Sequence, residues 1–191
     1  MRLISAVSAF LLVFLGLVAL PRRPSGVVAG TAVRMGIGEL ARDAALIVEG
    51  RVLSTAVHEE GGRIETEYLL AVDRTLAGES RSLRTIRMPG GVLADGRGML
   101  LAGMPRIAEG ESVLLFLTES SPSGIQMPVG LSQGKFRLLE RADGSRIAVR
   151  SASDVALLQP DTGALFHGEG RMVVEYAELV AEIEASRAGK R

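Results

Sequence analysis

The chain has 191 residues, with no Cys, no Trp, five Phe and two Tyr, and its 22 basic residues balance 22 acidic ones. The missing Cys excludes disulfides, thiolate metal sites, thiol nucleophiles and attachment as a lipoprotein. Arg2, Arg22 and Arg23 lie in the first 29 residues, leaving 19 basic against 22 acidic beyond them. That mild acidity argues against nucleic acid as a partner, and so few aromatics make carbohydrate stacking platforms a poor fit.

Leu3–Leu20 is an uncharged apolar run broken only by Ser5, Ser8 and Gly16. It reads as an export signal, or as an N-terminal anchor if retained. Small residues around Ala29 and Ala32 offer processing points, and Pro21 and Pro24 break any helix. Both readings place the folded part outside the cytoplasm, periplasmic or extracellular. We expect residues 1–29 to be signal or anchor, 30–37 a linker and 38–191 a single β-rich domain. That length supports one hydrophobic core.

Gly38–Ala45 carries good helix formers with Leu40 and Ala44 four apart, predicting a short helix. Leu46–His58 alternates as a strand, with Leu46, Val48 and Val52 facing in and Glu49 and Arg51 facing out. Gly50 inside it marks a bulge or a close backbone crossing. After the turn Glu59–Gly62, the run Arg63–Gly78 sets Ile64, Thr66, Tyr68, Leu70 and Val72 against Glu65, Glu67 and Asp73, completing a hairpin. A third strand, Leu83–Met88, ends at Pro89-Gly90-Gly91. A glycine-rich, irregular stretch follows as far as Gly110.

Ser112–Ser120 is continuously apolar through Leu117 and predicts a strand buried on both faces. Pro122-Ser123-Gly124 turns the chain, and Leu131–Arg150 reads as another hairpin about Asp143-Gly144. Ala164–His167 is β-like, and Val173–Arg187 predicts a helix with Tyr176, Leu179, Val180 and Ile183 on one face. The sum is a mainly β fold: a small antiparallel OB-like barrel or sandwich with a short N-terminal helix and a C-terminal amphipathic helix.

Little of the chemistry is specific. His58 beside Glu59 and Glu60 lies at a hairpin tip, and neither it nor His167 belongs to a metal-ligand spacing, so no metal and no cofactor is expected. Gly130-Leu131-Ser132-Gln133-Gly134 matches the letters of a nucleophile elbow. The physics of that motif needs a strand leading into a helix, whereas Lys135–Leu139 continues as strand, so a β-turn or bulge fits better. Glu65 and Glu67 share a strand face suited to acid–base work, or are simply its wet side. The glycines of Pro89–Gly103 lack the following helix and Lys-Ser/Thr of a phosphate cradle.

A binding surface is therefore expected on the Pro89–Pro105 loop with the Gln133-Gly134-Lys135 turn. Its residues are Pro89, Gly90, Gly91, Gly103, Met104, Pro105, Gln133, Gly134 and Lys135, where glycines let a backbone approach closely and Gln133 and Lys135 supply polar contacts. The plainer explanation of those glycines is turn and bulge geometry. The competing class is an envelope hydrolase using Ser132 or surface carboxylates; a further alternative is a membrane-tethered periplasmic domain of an assembly.

The pieces LIVEGRVLS, YLLAVDRTLAGE, MPGG, GMPRIAEGESVLLFL and VGLSQGKFRLL, between Leu46 and Leu139, resemble a group of exported bacterial β-rich proteins without assigned activity. More distantly, Ala45–Val52 and Leu76–Glu79 resemble the first strand and the turn of the OB-type barrel in netrin-like and tissue metalloprotease-inhibitor modules, whose cysteines are missing here. The resemblance implies a non-catalytic role beside another exported protein, such as a secreted zinc protease.

Overall fold

In a computed structural model, which describes residues 30–151, 155–167 and 171–189, two 15-residue strands form the spine of the protein. In chain order the elements begin with β1 (Gly30–Val33), α1 (Ile37–Asp43), β2 (Leu46–Glu60), β3 (Arg63–Ala77) and β4 (Leu83–Pro89). Then come β5 (Gly91–Val92), β6 (Gly98–Met99), β7 (Ser112–Leu117), a 3-10 turn at Leu131–Gly134, β8 (Lys135–Glu140) and β9 (Arg146–Arg150). The chain closes with β10 (Val155–Leu158), β11 (Leu165–His167), β12 (Met172–Glu175) and α2 (Tyr176–Ala188). The expected leader, 1–29, lies outside the described residues. No described helix is long and apolar enough to cross a membrane.

β2 and β3 pair along their whole length around Gly61 and Gly62, both at positive φ, where glycine carries no steric penalty. Their register shifts three times, between Ile47/Val48, Glu49/Gly50 and Val52/Ser54. Each shift adds twist, so the ribbon coils. Gly50 is required at one of them, because a Cβ there would run into the Ala71 carbonyl.

This ribbon is the centre-right of a seven-stranded sheet in the order β12-β9-β8-β7-β2-β3-β4, antiparallel throughout. The two outer strands, β12 and β4, do not pair with each other, so the sheet is open rather than a closed barrel. It has a core on each face. Under α1 and α2 lie Ile47, Leu114, Phe116, Phe136, Leu138 and Ala148, with Leu40, Leu179 and Ile183 reaching down from the helices. On the other face the curl gathers Val48, Val52, Tyr68, Leu70, Ile86, Met88, Val113, Leu115 and Leu117, closed by Ile107 from the long loop. β7 serves both cores in alternation and is buried from Val113 to Leu117, as its continuous apolar run predicts.

Several expectations need correcting. The stretch 30–37 is more than linker: β1 lies in it, paired in parallel with β10, and β11 completes a separate three-stranded sheet. β10 itself has no counterpart in the sequence reading. The C-terminal helix starts later than predicted, because residues 173–175 are taken by β12. Glu49 and Glu65, expected on wet strand faces, are both buried, because arginines from strands distant in sequence cover them.

Candidate functional site

Pro89-Gly90-Gly91 is where the chain leaves β4 and doubles back over the β2–β3 ribbon as the small hairpin β5–β6. Gly90 and Gly91 both have positive φ. A Cβ on Gly91 would meet the Val57 and Thr66 side chains at 2.6 and 2.7 Å. The Thr66 hydroxyl donates to the Gly90 carbonyl at 2.6 Å, pinning the turn from beneath.

The two predicted segments do meet. Ser132 N–H donates to the Gly103 carbonyl at 2.8 Å, and Lys135 Nζ donates to the Arg106 carbonyl at 2.6 Å while pairing with Glu111 at 2.8 Å. Most of the residues named from sequence hold this junction together from inside. Gly90, Gly103, Pro105 and Gly134 are buried, and Met104 packs against the Ile107 core. Pro89 and Gly91 are half-buried.

Gln133, read from sequence as a polar contact without a core role, is fully buried. Its Oε1 accepts from Met35 N–H at 2.8 Å, and its Nε2 donates to the Val33 and Gly130 carbonyls at 2.9 and 3.1 Å. A surface position for it is thereby corrected: its amide is what the approach to α1 hydrogen-bonds to. Beside the exposed Asp95 and Arg97, the large apolar side chains the loop presents to solvent are Val92, Leu100 and Leu101, with Leu100 69% exposed. Sequence reasoning missed them. The available signal was the apolar run Met99-Leu100-Leu101 inside a glycine-rich stretch, at positions that fit neither strand nor helix periodicity.

Charged groups are grouped elsewhere on the sheet, in closed networks. The Glu49 carboxylate accepts from Arg146 and from the Tyr176 hydroxyl, and the Arg146 guanidinium lies 4.0 Å above the centre of the Tyr176 ring. Burial, and then the hydrogen bond to Glu49, holds the Tyr176 phenol above its ordinary value. Beside this triad an open groove of about 440 Å³ runs between the start of β7 and the end of β8, with Arg51, Asp73, Arg137 and Glu140 on its walls. Its charges are mixed, so it has no single-sign field to select a ligand.

At the far end of the ribbon, the wholly buried Glu65 is held by Arg87 at 2.6 Å and Arg63 at 3.4 Å, and Arg87 also bonds Glu60. His58, Glu60 and Glu65 place one ligand atom each within 4.8 Å of one another, the only such set among the described residues. Arg87 already lies against both carboxylates, so the positive charge this cluster calls for is supplied by a side chain. Glu67, its sequence partner, is half-buried two pairs further along.

Ser132 sits in the 3-10 turn, which runs directly into β8 rather than into a helix. Its hydroxyl is buried with no hydrogen-bond partner among the described residues. The preceding Leu131 has φ near +60°, the only non-glycine residue at positive φ among those described. This turn sends the chain back into the sheet. Comparison with protein families, with characterised proteins and with solved structures returns no match.

Proposed function

We propose that this protein is an exported, non-catalytic binding module that grips another exported protein, such as a protease, through the Pro89–Pro105 loop. One observation carries this reading: Val92, Leu100 and Leu101 stand exposed on a loop anchored at Gly90 and Gly103 by hydrogen bonds to Thr66 and Ser132. Apolar side chains held in water on an anchored backbone gain most by being covered, and a preorganised loop loses little entropy on docking. Gly91, Gly103 and Lys135 belong to the base of this surface, and Gln133 and Gly134 to its foundation.

The finer likeness to an OB-type module is part of the same proposal. It is supported by the coiled β2–β3 ribbon and by a curled face filled by its own strands. The hydrolase alternative draws no support from Ser132, whose buried hydroxyl has no hydrogen-bond partner among the described residues.

The test uses the full chain in its own envelope, with a photo-crosslinking side chain at Leu100. We expect one adduct, to a protein that binds the purified module directly, with binding about tenfold weaker or worse for Leu100→Asp/Leu101→Asp, the loss of about 1.4 kcal/mol or more. Unchanged binding by that double variant sinks the proposal, as does turnover of ester or peptide substrates that disappears in Ser132→Ala. Mass spectrometry of the mature N-terminus separates the free form, beginning near Gly30, from a tethered one that keeps Leu3–Leu20.

A further inference from the structure

The two edges of the large sheet are finished differently. Along β4 the Arg87 carbonyl is taken from outside, accepting from Gln126 N–H at 2.8 Å, and Arg87 and Ile125 form a short parallel bridge. Along β12 the only ladder among the described residues is the inner one with β9. β12 is short, four residues, but it carries no Pro, no Lys and no register shift to blunt it further. Met172 and Val173 are instead apolar and exposed. Such an edge presents main-chain N–H and C=O groups to any extended strand that can lie beside it.

The order Arg171-Met172-Val173-Val174-Glu175 says which strand fits. In an antiparallel ladder, directly opposed residues either both turn their main-chain groups toward the partner strand or both turn them away. That direction alternates along a strand, so two copies of one strand can pair only about a two-fold axis through a residue, never between residues. An axis through Val173 sets Val173 on Val173, Met172 on Val174 and Arg171 on Glu175, the last two twice over. Every opposed pair shares a face, so apolar meets apolar and opposite charges meet. An axis through Val174 would oppose Val173 to Glu175 and drive Met172 against Tyr176, where the extended backbone ends and α2 begins.

We propose that two copies of this chain associate through antiparallel β12–β12 pairing about Val173, joining two seven-stranded sheets into one. The charge complementarity of the five-residue sequence selects a second copy over any other strand. Within one chain Glu175 already accepts from Arg141 at 2.7 and 3.0 Å; Arg171 of the second copy approaches the same carboxylate from the outer side. Val173 lies on the sheet face away from the helices, opposed to the half-buried Val149 of β9, so the pairing lengthens an apolar strip already begun. The sheet order puts this edge at the opposite end from β3 and β4, so Leu100 and Leu101 stay free. The inference is independent of the loop's role.

The chain contains no Cys, so a single introduced thiol reports without background. Opposed Cβ atoms in such a ladder lie about 4.5–5.5 Å apart, close enough for a disulfide after a small adjustment. We expect sedimentation of the full chain to show a dimer and oxidation of Val173→Cys to give a covalent dimer, while Leu83→Cys on the other edge gives none. Val173→Lys should yield a monomer that still unfolds cooperatively, its melting temperature independent of protein concentration. Arg171→Glu should weaken association about tenfold, with Arg171→Lys close to the parent. A monomeric parent protein, a dimer that survives Val173→Lys, or equal crosslinking at Leu83→Cys overturns the proposal.

Discussion

Glu49 holds a carboxylate almost wholly out of water on a central strand, and two partners far along the chain make that tolerable. Arg146 and the Tyr176 hydroxyl both donate to it. Replacing Glu49 by Ala leaves a phenol and a guanidinium facing nothing, a loss we place at about 2–4 kcal/mol, moderated because Arg146 keeps 40% side-chain exposure. Urea unfolding checks it. The tyrosines make a second prediction. Tyr176 and Tyr68 are both raised above the ordinary phenol value near 10, chiefly by burial. A raised folded-state pKa means that the native state keeps its proton longer than the unfolded one. Stability is therefore intact below pH about 10 and falls as pH rises beyond it. With no Trp in the chain, ultraviolet absorbance should show phenolate appearing late and together with unfolding. Tyr176→Phe should flatten the alkaline loss of stability; an unaltered slope would refute the assignment.

Among the elements, the hairpin β2–β3 was the most legible. The faces read from its alternation survive, with Leu46, Val48, Val52, Tyr68 and Leu70 together in one core, because the pleat imposes a two-residue period. Burial itself does not alternate at the start of β2, where both faces are covered. Glu49 and Glu65 break that alternation, and no local rule could find them: the arginines that cover them, Arg146 and Arg87, are on β9 and β4. β1 was illegible for a related reason. Four residues of Gly, Thr, Ala and Val carry no period, and the strand is held by a parallel partner more than 120 residues away and by the Gln133 amide below it. We predict that Gln133→Leu costs about 1–3 kcal/mol. Its effect should be local, with faster hydrogen exchange at Met35 and cleavage by proteases near residues 33–36. Uniform loosening of the whole chain would show that Gln133 supports the sheet rather than the approach to α1.

Across the whole molecule, the helix layer closes one face of the sheet and is itself tied shut. Arg187, in the last turn of α2, donates to the Ala41 and Ala44 carbonyls at 2.9 and 3.0 Å, satisfying the C-terminal end of α1. Beneath lie Phe116 and Phe136, ring centres 5.8 Å apart. Leu179 and Ile183 are fully buried between them and α1. Leu179→Ala should cost about 2–5 kcal/mol in a single cooperative transition. Removing α2 altogether should leave an aggregating chain without cooperative unfolding, since the apolar face it covers is contiguous. A soluble, cooperatively folding truncation would mean that the curled face is a sufficient core.

By itself the sequence determined the features that depend on neighbours along the chain: mainly β class, the long hairpin and its glycine turn, the doubly buried β7 and the apolar stripe of α2. These follow from pleat and helix periods, which act over a few residues. Only the tertiary structure decided that the sheet stays open, that Gln133 and Glu65 are interior, and that Val92, Leu100 and Leu101 stand outside. Those outcomes depend on which distant strand or loop arrives above each side chain, and burial is a property of that arrival rather than of the residue.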